Sequence, residues 1–231
     1  MKKIIFVLIC MTTNIAMAQL KIGVMGGFIS AKYVQTSDRI LNDYGIKTSP
    51  IQSFHAGLVS EITLGKNLAL QQALLYTVLG THNKGEGVHP GITNYYNSTI
   101  KLSYLKLPVE LLYKINRGKK LSFVVGGGLY VARGLSGTEK GEQYHNTSPG
   151  RPLIKMPINN KVEFTFTSSS LPGTTIKQND IGCSLTAGMV YRQVQFTANL
   201  SHGFSKIYSN SGVNYRNFTA GIAMAYMITI H

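Results

Sequence analysis

The sequence has few charged residues, two cysteines and no tryptophan. Charged residues make up 14% of the chain, against about a quarter in ordinary globular proteins. Cys10 lies in an apolar segment near the start, which leaves Cys183 alone in the rest of the chain. One cysteine cannot form an internal disulfide, and the paired Cys and His spacing of a zinc site is missing. These absences exclude a disulfide-rich scaffold and predict no metal site.

Long apolar runs are also absent after residue 18. No run in that part of the sequence has the eighteen apolar residues that a transmembrane helix needs. Glycine (24) and tyrosine (13) are abundant instead, and they suit tightly curved strands and the aromatic girdles of membrane barrels. Any membrane span of this chain must therefore consist of strands.

Residues 1–18 have the pattern of a secretory signal peptide. Residues 2–3 are lysines, residues 4–15 form an apolar segment, and residues 16–18 (Ala-Met-Ala) form a small-x-small cleavage site. We expect cleavage at this site and one barrel domain over residues 19–231. An uncleaved N-terminal helix is the alternative.

Eight runs of alternating apolar and polar residues follow, and the links between them alternate between short and long. In outer-membrane barrels the periplasmic turns are short and the external loops are long. The pattern therefore predicts an all-β fold, an eight-stranded antiparallel transmembrane up-and-down β-barrel in the bacterial outer membrane. Eight strands enclose an interior that side chains can fill, so we expect a closed lumen and a monomer. The short links are 65–66, 116–119 and 192–193, and the long links are 31–50, 81–98, 134–178 and 205–214.

Two strands are harder to interpret. The run 68–80 is apolar on both faces, so alternation does not decide which side faces inward. Pro108 lies within the fourth run and donates no hydrogen bond to a strand ladder. We therefore expect a local bulge at Pro108.

Five charged or titratable side chains fall on the predicted inner face. Lys106 and Glu110 lie on the fourth strand, His55 and Glu61 on the second, and Lys21 on the first. Isolated charges in a dry lumen are costly, so pairing is expected. We interpret Lys21, His55, Glu61, Lys106 and Glu110 as a structural polar network in the lumen, with a proton or ligand path as the alternative.

Residues 104–108 (Tyr-Leu-Lys-Leu-Pro) resemble the YLxxP stretch of the PorT-like outer-membrane barrel family of Bacteroidota, a group of small porin-family barrels. Residues 74–76, 126–130 and 180–182 fall in similar places, so the resemblance covers essentially the whole mature chain. The family implies an outer-membrane β-barrel of mostly unassigned role, with some members linked to accessory work in secretion, and it implies no catalytic residues. The chain departs from typical barrels of this class at residues 229–231 (Thr-Ile-His), where an aromatic residue is usual.

The sequence contains patterns that resemble catalytic or nucleotide-binding motifs, but each lacks the spacing or geometry that such a site needs. Residues 21–27 resemble the opening of a dinucleotide fold, but the full GxGxxG spacing and the helix that should follow are missing. Ser201 and His202 are adjacent in a strand and so point to opposite faces. The remaining histidines show no metal-ligand spacing. We predict no enzyme activity, no catalytic residue and no cofactor; a lipid-modifying enzyme is the less favoured alternative.

Basic residues outnumber acidic ones, 23 against 9, and many fall in the predicted external loops. For an exported protein the polyanion at hand is the phosphate-bearing lipid of the outer leaflet, not nucleic acid. Solvated loop charge is the alternative explanation. We expect the loops, above all 134–178, to bind a protein, a glycan or lipopolysaccharide, or to assist envelope or secretion machinery. A narrow small-solute channel is the competing function.

Overall fold

A computed structural model describes residues 19–35, 47–89, 92–116, 120–145, 152–165, 175–210 and 213–230. The predicted signal peptide, residues 1–18, lies outside the described residues. Within those ranges no helix has the length and apolarity needed to cross a membrane. The strands are β1 (Leu20–Gln35), β2 (Lys47–Ser49), β3 (Ile51–Thr63), β4 (Leu68–His89), β5 (Ile92–Asn116), β6 (Leu121–His145), β7 (Ile154–Lys161), β8 (Glu163–Thr165), β9 (Thr175–Lys177), β10 (Asn179–Tyr191), β11 (Val194–Gly203), β12 (Tyr208–Asn210) and β13 (Val213–Ile230).

Eight of these strands form a closed antiparallel ring. Their order is β1-β3-β4-β5-β6-β10-β11-β13, and β13 pairs back with β1. Residues 64–67 join β3 to β4, and residues 192–193 join β10 to β11. The predicted eight-stranded barrel and these two short links are confirmed. The end of the barrel with these turns is called the short-turn end, and the opposite end is called the long-loop end.

The strands are strongly tilted. Following paired residues once around the ring leads from Lys32 on β1 back to Ile22 on the same strand. This displacement over eight strands corresponds to a tilt of about 40°. Positions at one level of the barrel therefore shift by about 1.25 residues from each strand to the next.

Alternation separates the lumen from the outer wall. On β13, Ala223 and Ala225 are buried, while Ile222 is 65% and Met224 is 54% exposed. Small buried side chains leave room inside a narrow barrel, and large exposed ones suit contact with lipid. From Ile22 to Lys32 the wall rises about 25 Å, which is the height of the apolar band of such barrels. Exposed apolar side chains in this band include Val24, Phe28, Leu58, Leu107, Leu129, Leu185 and Leu200.

The structure answers the two questions that the sequence left undecided, the inward face of β4 and the geometry at Pro108. Leu75 is buried and Leu74 is exposed, so the odd-numbered residues of β4 face the lumen. The predicted bulge at Pro108 is wrong, because pairing of β4 with β5 keeps the same register on both sides of it. The pairing of β5 with β4 is interrupted at Pro108, because proline has no N–H to donate. No extra residue is inserted there. The shift in register lies between Ser103 and Tyr104 of β5, opposite β6.

Several strands continue beyond the lipid-facing band at the long-loop end. There β4, β5 and β6 pair almost to their ends, β7 pairs with β6, and β2 pairs with β4. We call this part, residues 47–49, 81–89, 92–100, 136–145 and 154–161, the projecting sheet. The assignment of 81–89, 92–98, 134–145 and 154–161 to loops is therefore wrong. Neither face of the sheet borders lipid there, so apolar and polar residues do not alternate and the sequence carries no strand signal.

An apolar cluster closes the long-loop end of the lumen. Leu102 and Tyr104 of β5 are fully buried, and Val162 and Ile176 pack on them from the segments around β8 and β9. The rings of Phe164 and Tyr104 lie 5.9 Å apart, edge to face. We call this cluster, completed by Ile207, the apolar cap. The short strand β8 carries Phe164 over the mouth of the barrel, where its ring packs on Tyr104.

Candidate functional site

The predicted lumen residues separate into two groups, and the first lies near the short-turn end. Glu61 is completely buried, and its Oε1 lies 2.5 Å from Lys114 Nζ and 3.5 Å from Lys21 Nζ. One carboxylate therefore holds two ammonium groups. Just above it, Gln195 Nε2 donates a hydrogen bond of 3.1 Å to Gln71 Oε1, which joins β11 to β4 across the interior.

The second group lies at mid-height around Glu110. The hydroxyls of Ser184 and Thr186 donate hydrogen bonds of 2.5 and 2.8 Å to the two oxygens of its carboxylate. Both donors come from β10, on the far side of β6. Two charge-assisted hydrogen bonds stabilise a buried carboxylate without a cation in direct contact.

Lys106 is held by other partners. Its Nζ donates a hydrogen bond of 2.8 Å to Ser201 Oγ and lies 4.0 Å from the centre of the Tyr130 ring. Tyr130 in turn donates to Asp180 Oδ2 at 3.1 Å. No ion pair joins Lys106 to Glu110 among the described residues. Lys106 and Glu110 therefore lie in the same polar layer but do not pair with each other.

His55 borders a small internal cavity. The cavity has a volume of about 50 Å³ and is lined by His55, Lys106, Glu110 and Thr77, among others. His55 Nε2 and Thr77 Oγ1 are buried and have no hydrogen-bond partner among the described side chains. A cavity of this size and polarity holds a few water molecules and does not form a continuous passage.

Sequence reasoning missed two ionisable members of the lumen. Lys114 has the same parity on β5 as Lys106 and Glu110, so alternation along that strand could have identified it. Asp180 is fully buried and accepts a hydrogen bond of 2.8 Å from Asn217. Its partners come from β6 and β13, and only the closed ring brings those strands close to it.

The projecting sheet carries a row of aromatic and basic side chains on its outer face. Tyr95 and Tyr144 meet edge to face at 5.9 Å, and the ammonium groups of Lys84 and Lys155 lie 5.9 and 5.8 Å from the centres of these two rings. Lys155 also forms an ion pair with Glu142. The hydrogen bonds that Lys155 and Tyr144 donate hold the pKa of Glu142 below its usual value. This face offers flat rings and positive charge to solvent.

The side chains considered for catalysis are separated by the wall of the barrel. Ser201 faces the lumen, where it accepts the hydrogen bond from Lys106. His202 faces outward and packs against the rings of Phe204 and Phe218. The predicted opposite orientation of Ser201 and His202 is confirmed. The described residues contain no group of three or more His, Cys, Asp or Glu side chains arranged to hold a metal ion.

Solved structures similar to this one are small outer-membrane proteins. The attachment invasion locus protein Ail of Yersinia pestis, solved with the heparin analogue sucrose octasulfate, shares 9% identity with a TM-score of 0.40, over 91% of this chain and 99% of that one. Neisserial surface protein A shares 12% identity with a TM-score of 0.40, over 89% and 96% of the two chains. OprG from Pseudomonas aeruginosa shares 12% identity with a TM-score of 0.44, over 90% and 95%. At these values the likenesses carry no functional argument.

A match to a sequence family is more informative. No curated protein sequence matches the chain. The model of the outer membrane protein beta-barrel domain family matches residues 16–209, which is most of the chain. The matched segment contains seven of the eight ring strands. The ring closure, the lipid-facing band and this match agree, and the chain belongs to the outer membrane protein beta-barrel domain family, whose place is the bacterial outer membrane.

Proposed function

We propose that this barrel is a closed anchor that acts by binding through its extracellular projecting sheet. The observation that carries the proposal is the contrast between the two parts of the molecule. The lumen is occupied by the apolar cap, the Gln71–Gln195 contact and the group around Glu61. The projecting sheet, in contrast, presents Tyr95, Tyr144 and their basic neighbours.

Energetic considerations support a closed lumen. Beneath the projecting sheet the described inward-facing charges are Lys21, Lys106, Lys114, Glu61, Glu110 and Asp180. Equal numbers of cations and carboxylates, most of them in hydrogen bonds, favour a static and neutral interior. A conducting pore through an eight-stranded barrel needs a continuous hydrated path, and the side chains that fill this lumen argue against such a path.

The proposal includes the finer family and the partners. We infer a PorT-like barrel of Bacteroidota, supported by residues 104–108, where Tyr104 joins the apolar cap and Lys106 joins the mid-height polar layer. We further propose a monomer without enzyme activity that contacts outer-leaflet lipopolysaccharide. Its projecting sheet would bind a surface glycan or a protein of the envelope or secretion machinery.

The test is photo-crosslinking in intact cells. A photoreactive amino acid replaces Lys140, which is exposed on the projecting sheet, or Leu185, which is 61% exposed on the lipid face. We expect a specific protein or glycan adduct at position 140 and lipid adducts alone at position 185. Lipid adducts at position 185 with no adduct at position 140 would contradict binding by the sheet.

A further inference from the structure

Within the lipid-facing band, the described outward-facing residues of the ring strands include basic side chains only near its extracellular edge. Lys32 of β1, Lys101 of β5 and Arg133 of β6 are exposed, and their strand parity matches that of the lipid-facing residues Phe28, Leu105 and Val131. Arg216 of β13 has the parity of the lipid-facing Ile222. These four side chains therefore point away from the lumen.

The tilt of the strands brings these residues to the same height. With about 1.25 residues of shift per strand, the level of Lys32 passes close to Arg216 on β13, Arg133 on β6 and Lys101 on β5. Each lies within about two residues of that level, a spread of a few ångströms. We call these four residues the basic belt. In the sequence they are scattered over four strands, and only the register reveals the belt.

The basic belt lies at the extracellular edge of the lipid-facing band. Lys32 is ten residues above Ile22, so it lies about 25 Å above the ring of apolar residues at the periplasmic edge. That periplasmic ring carries Tyr113, Phe123 and Tyr226 and no charged side chain among the described outward-facing residues at its level. The exposed basic residues at the periplasmic end, Lys66, Lys120 and Arg192, lie in turns, whereas those at the extracellular edge lie on the strands of the wall.

The surroundings of the belt favour an amphipathic anionic ligand. Lys32 Nζ lies 5.7 Å from the centre of the Phe218 ring, and His202 packs on the other side at 6.5 Å. Arg216 Nε has no hydrogen-bond partner in the described part of the chain. No acidic side chain of the described residues faces outward at this level, so no described carboxylate neutralises these positive charges.

We propose that the basic belt binds the phosphate groups of lipid A in the outer leaflet, whose acyl chains lie along the apolar wall below. This inference rests on the proposed contact with outer-leaflet lipid and assigns it a site. Phosphate oxygens accept charge-assisted hydrogen bonds from Lys and Arg, and the low dielectric at the membrane edge strengthens them. Lipid A supplies both phosphate and acyl chains at this depth, whereas free phosphate supplies no apolar part.

The experiment compares two triple variants that remove the same charge. K32Q/K101Q/R133Q neutralises most of the belt, and K84Q/K140Q/K155Q neutralises the projecting sheet. Each protein is folded into phosphatidylcholine vesicles with added lipid A, lipid A stripped of phosphate, or phosphatidylglycerol. The lipid that stays bound after detergent extraction is quantified by mass spectrometry, and a heat-dependent shift in gel mobility confirms folding.

We expect wild type and the sheet variant to retain lipid A equally. The belt variant should bind it on the order of 100-fold more weakly, since each basic residue near an anionic membrane surface contributes roughly a factor of five. Phosphate-free lipid A should be retained poorly by all three proteins, and phosphatidylglycerol should be retained poorly because its single phosphate can contact fewer of the four belt residues than the phosphate groups of lipid A. Equal retention of lipid A by the belt variant, or equal retention of phosphatidylglycerol by wild type, would overturn the proposal. Neither result would affect crosslinking at Lys140, so failure of the belt and failure of the projecting sheet are distinguishable.

Discussion

Replacing Glu61 by Ala should be among the most damaging single changes to the lumen. The carboxylate is completely buried and is the only described anion within contact of Lys114 Nζ, at 2.5 Å, and Lys21 Nζ, at 3.5 Å. Removing one partner of a buried ion pair costs about 3 to 5 kcal/mol, because an uncompensated charge remains. The side chains of Lys114 and Lys21 are 15% and 25% exposed. Partial hydration of both ammonium groups places the expected loss near the lower limit, about 3 kcal/mol.

The assay is urea-induced unfolding of the barrel in vesicles, with Glu86→Ala as the matched control. Glu86 is exposed on the projecting sheet, so its removal should change stability by less than about 0.5 kcal/mol. Combining Glu61→Ala with Lys114→Met should recover part of the loss, since the second change removes one of the stranded cations. An unfolding midpoint for Glu61→Ala equal to that of Glu86→Ala would show that the Glu61 carboxylate does not stabilise the barrel through Lys114 and Lys21. So would a double variant whose loss is the plain sum of the two single losses.

Three further predictions concern the wall, the cap and the projecting sheet. Leu185→Arg should lower stability by about 2 to 4 kcal/mol, because it places a charge near the middle of the bilayer; wild-type stability in vesicles would show that this face does not meet lipid. Gly134→Val should displace Phe164, because the ring of Phe164 lies 2.2 Å from the position of an added Cβ. The displacement should lower stability by about 1 to 3 kcal/mol. Hydrogen exchange around β8 should rise, and unchanged exchange would argue against the apolar cap. The pKa of Glu142 is lowered by Lys155, so their ion pair contributes above the ordinary carboxyl pKa and is lost as pH falls through the folded value. The protection factors of the β7 amides, which correct for the intrinsic slowing of exchange in acid, should therefore fall over that pH range, and constant protection factors would contradict that contribution.

Much of the barrel follows from the sequence because lipid imposes a strict alternation. The residues of β13 alternate between large outward and small inward side chains, and that pattern sets the face, the register and the closed ring. The same rule fails above the membrane. In the projecting sheet, cross-strand contacts such as Tyr95 with Tyr144 replace burial against lipid as the stabilising interaction, and they leave no periodic signal.

In the lumen, too, the sequence predicts the local features but not those that depend on closure of the ring. Parity along one strand identifies Lys106 and Glu110 as inward-facing, and the same parity could have identified Lys114. Parity does not reveal partners, however. Glu110 meets Ser184, seventy-four residues away, because the ring closes and not because of any spacing in the sequence. For the same reason, parity alone could not show that Lys106 and Glu110 bind other side chains and not each other.

The proposed function depends most on the lumen being closed, and single-channel recording in planar bilayers tests this directly. The purified wild-type barrel, shown to be folded by its heat-dependent gel mobility, is added to the bilayer and the current is recorded under an applied voltage. With the apolar cap at one end of the lumen and the Glu61 group near the other, we predict conductance at the background level of the bare membrane. A steady, ion-selective current in the wild type whose selectivity changes in Glu110→Gln would contradict the closed lumen and establish a channel.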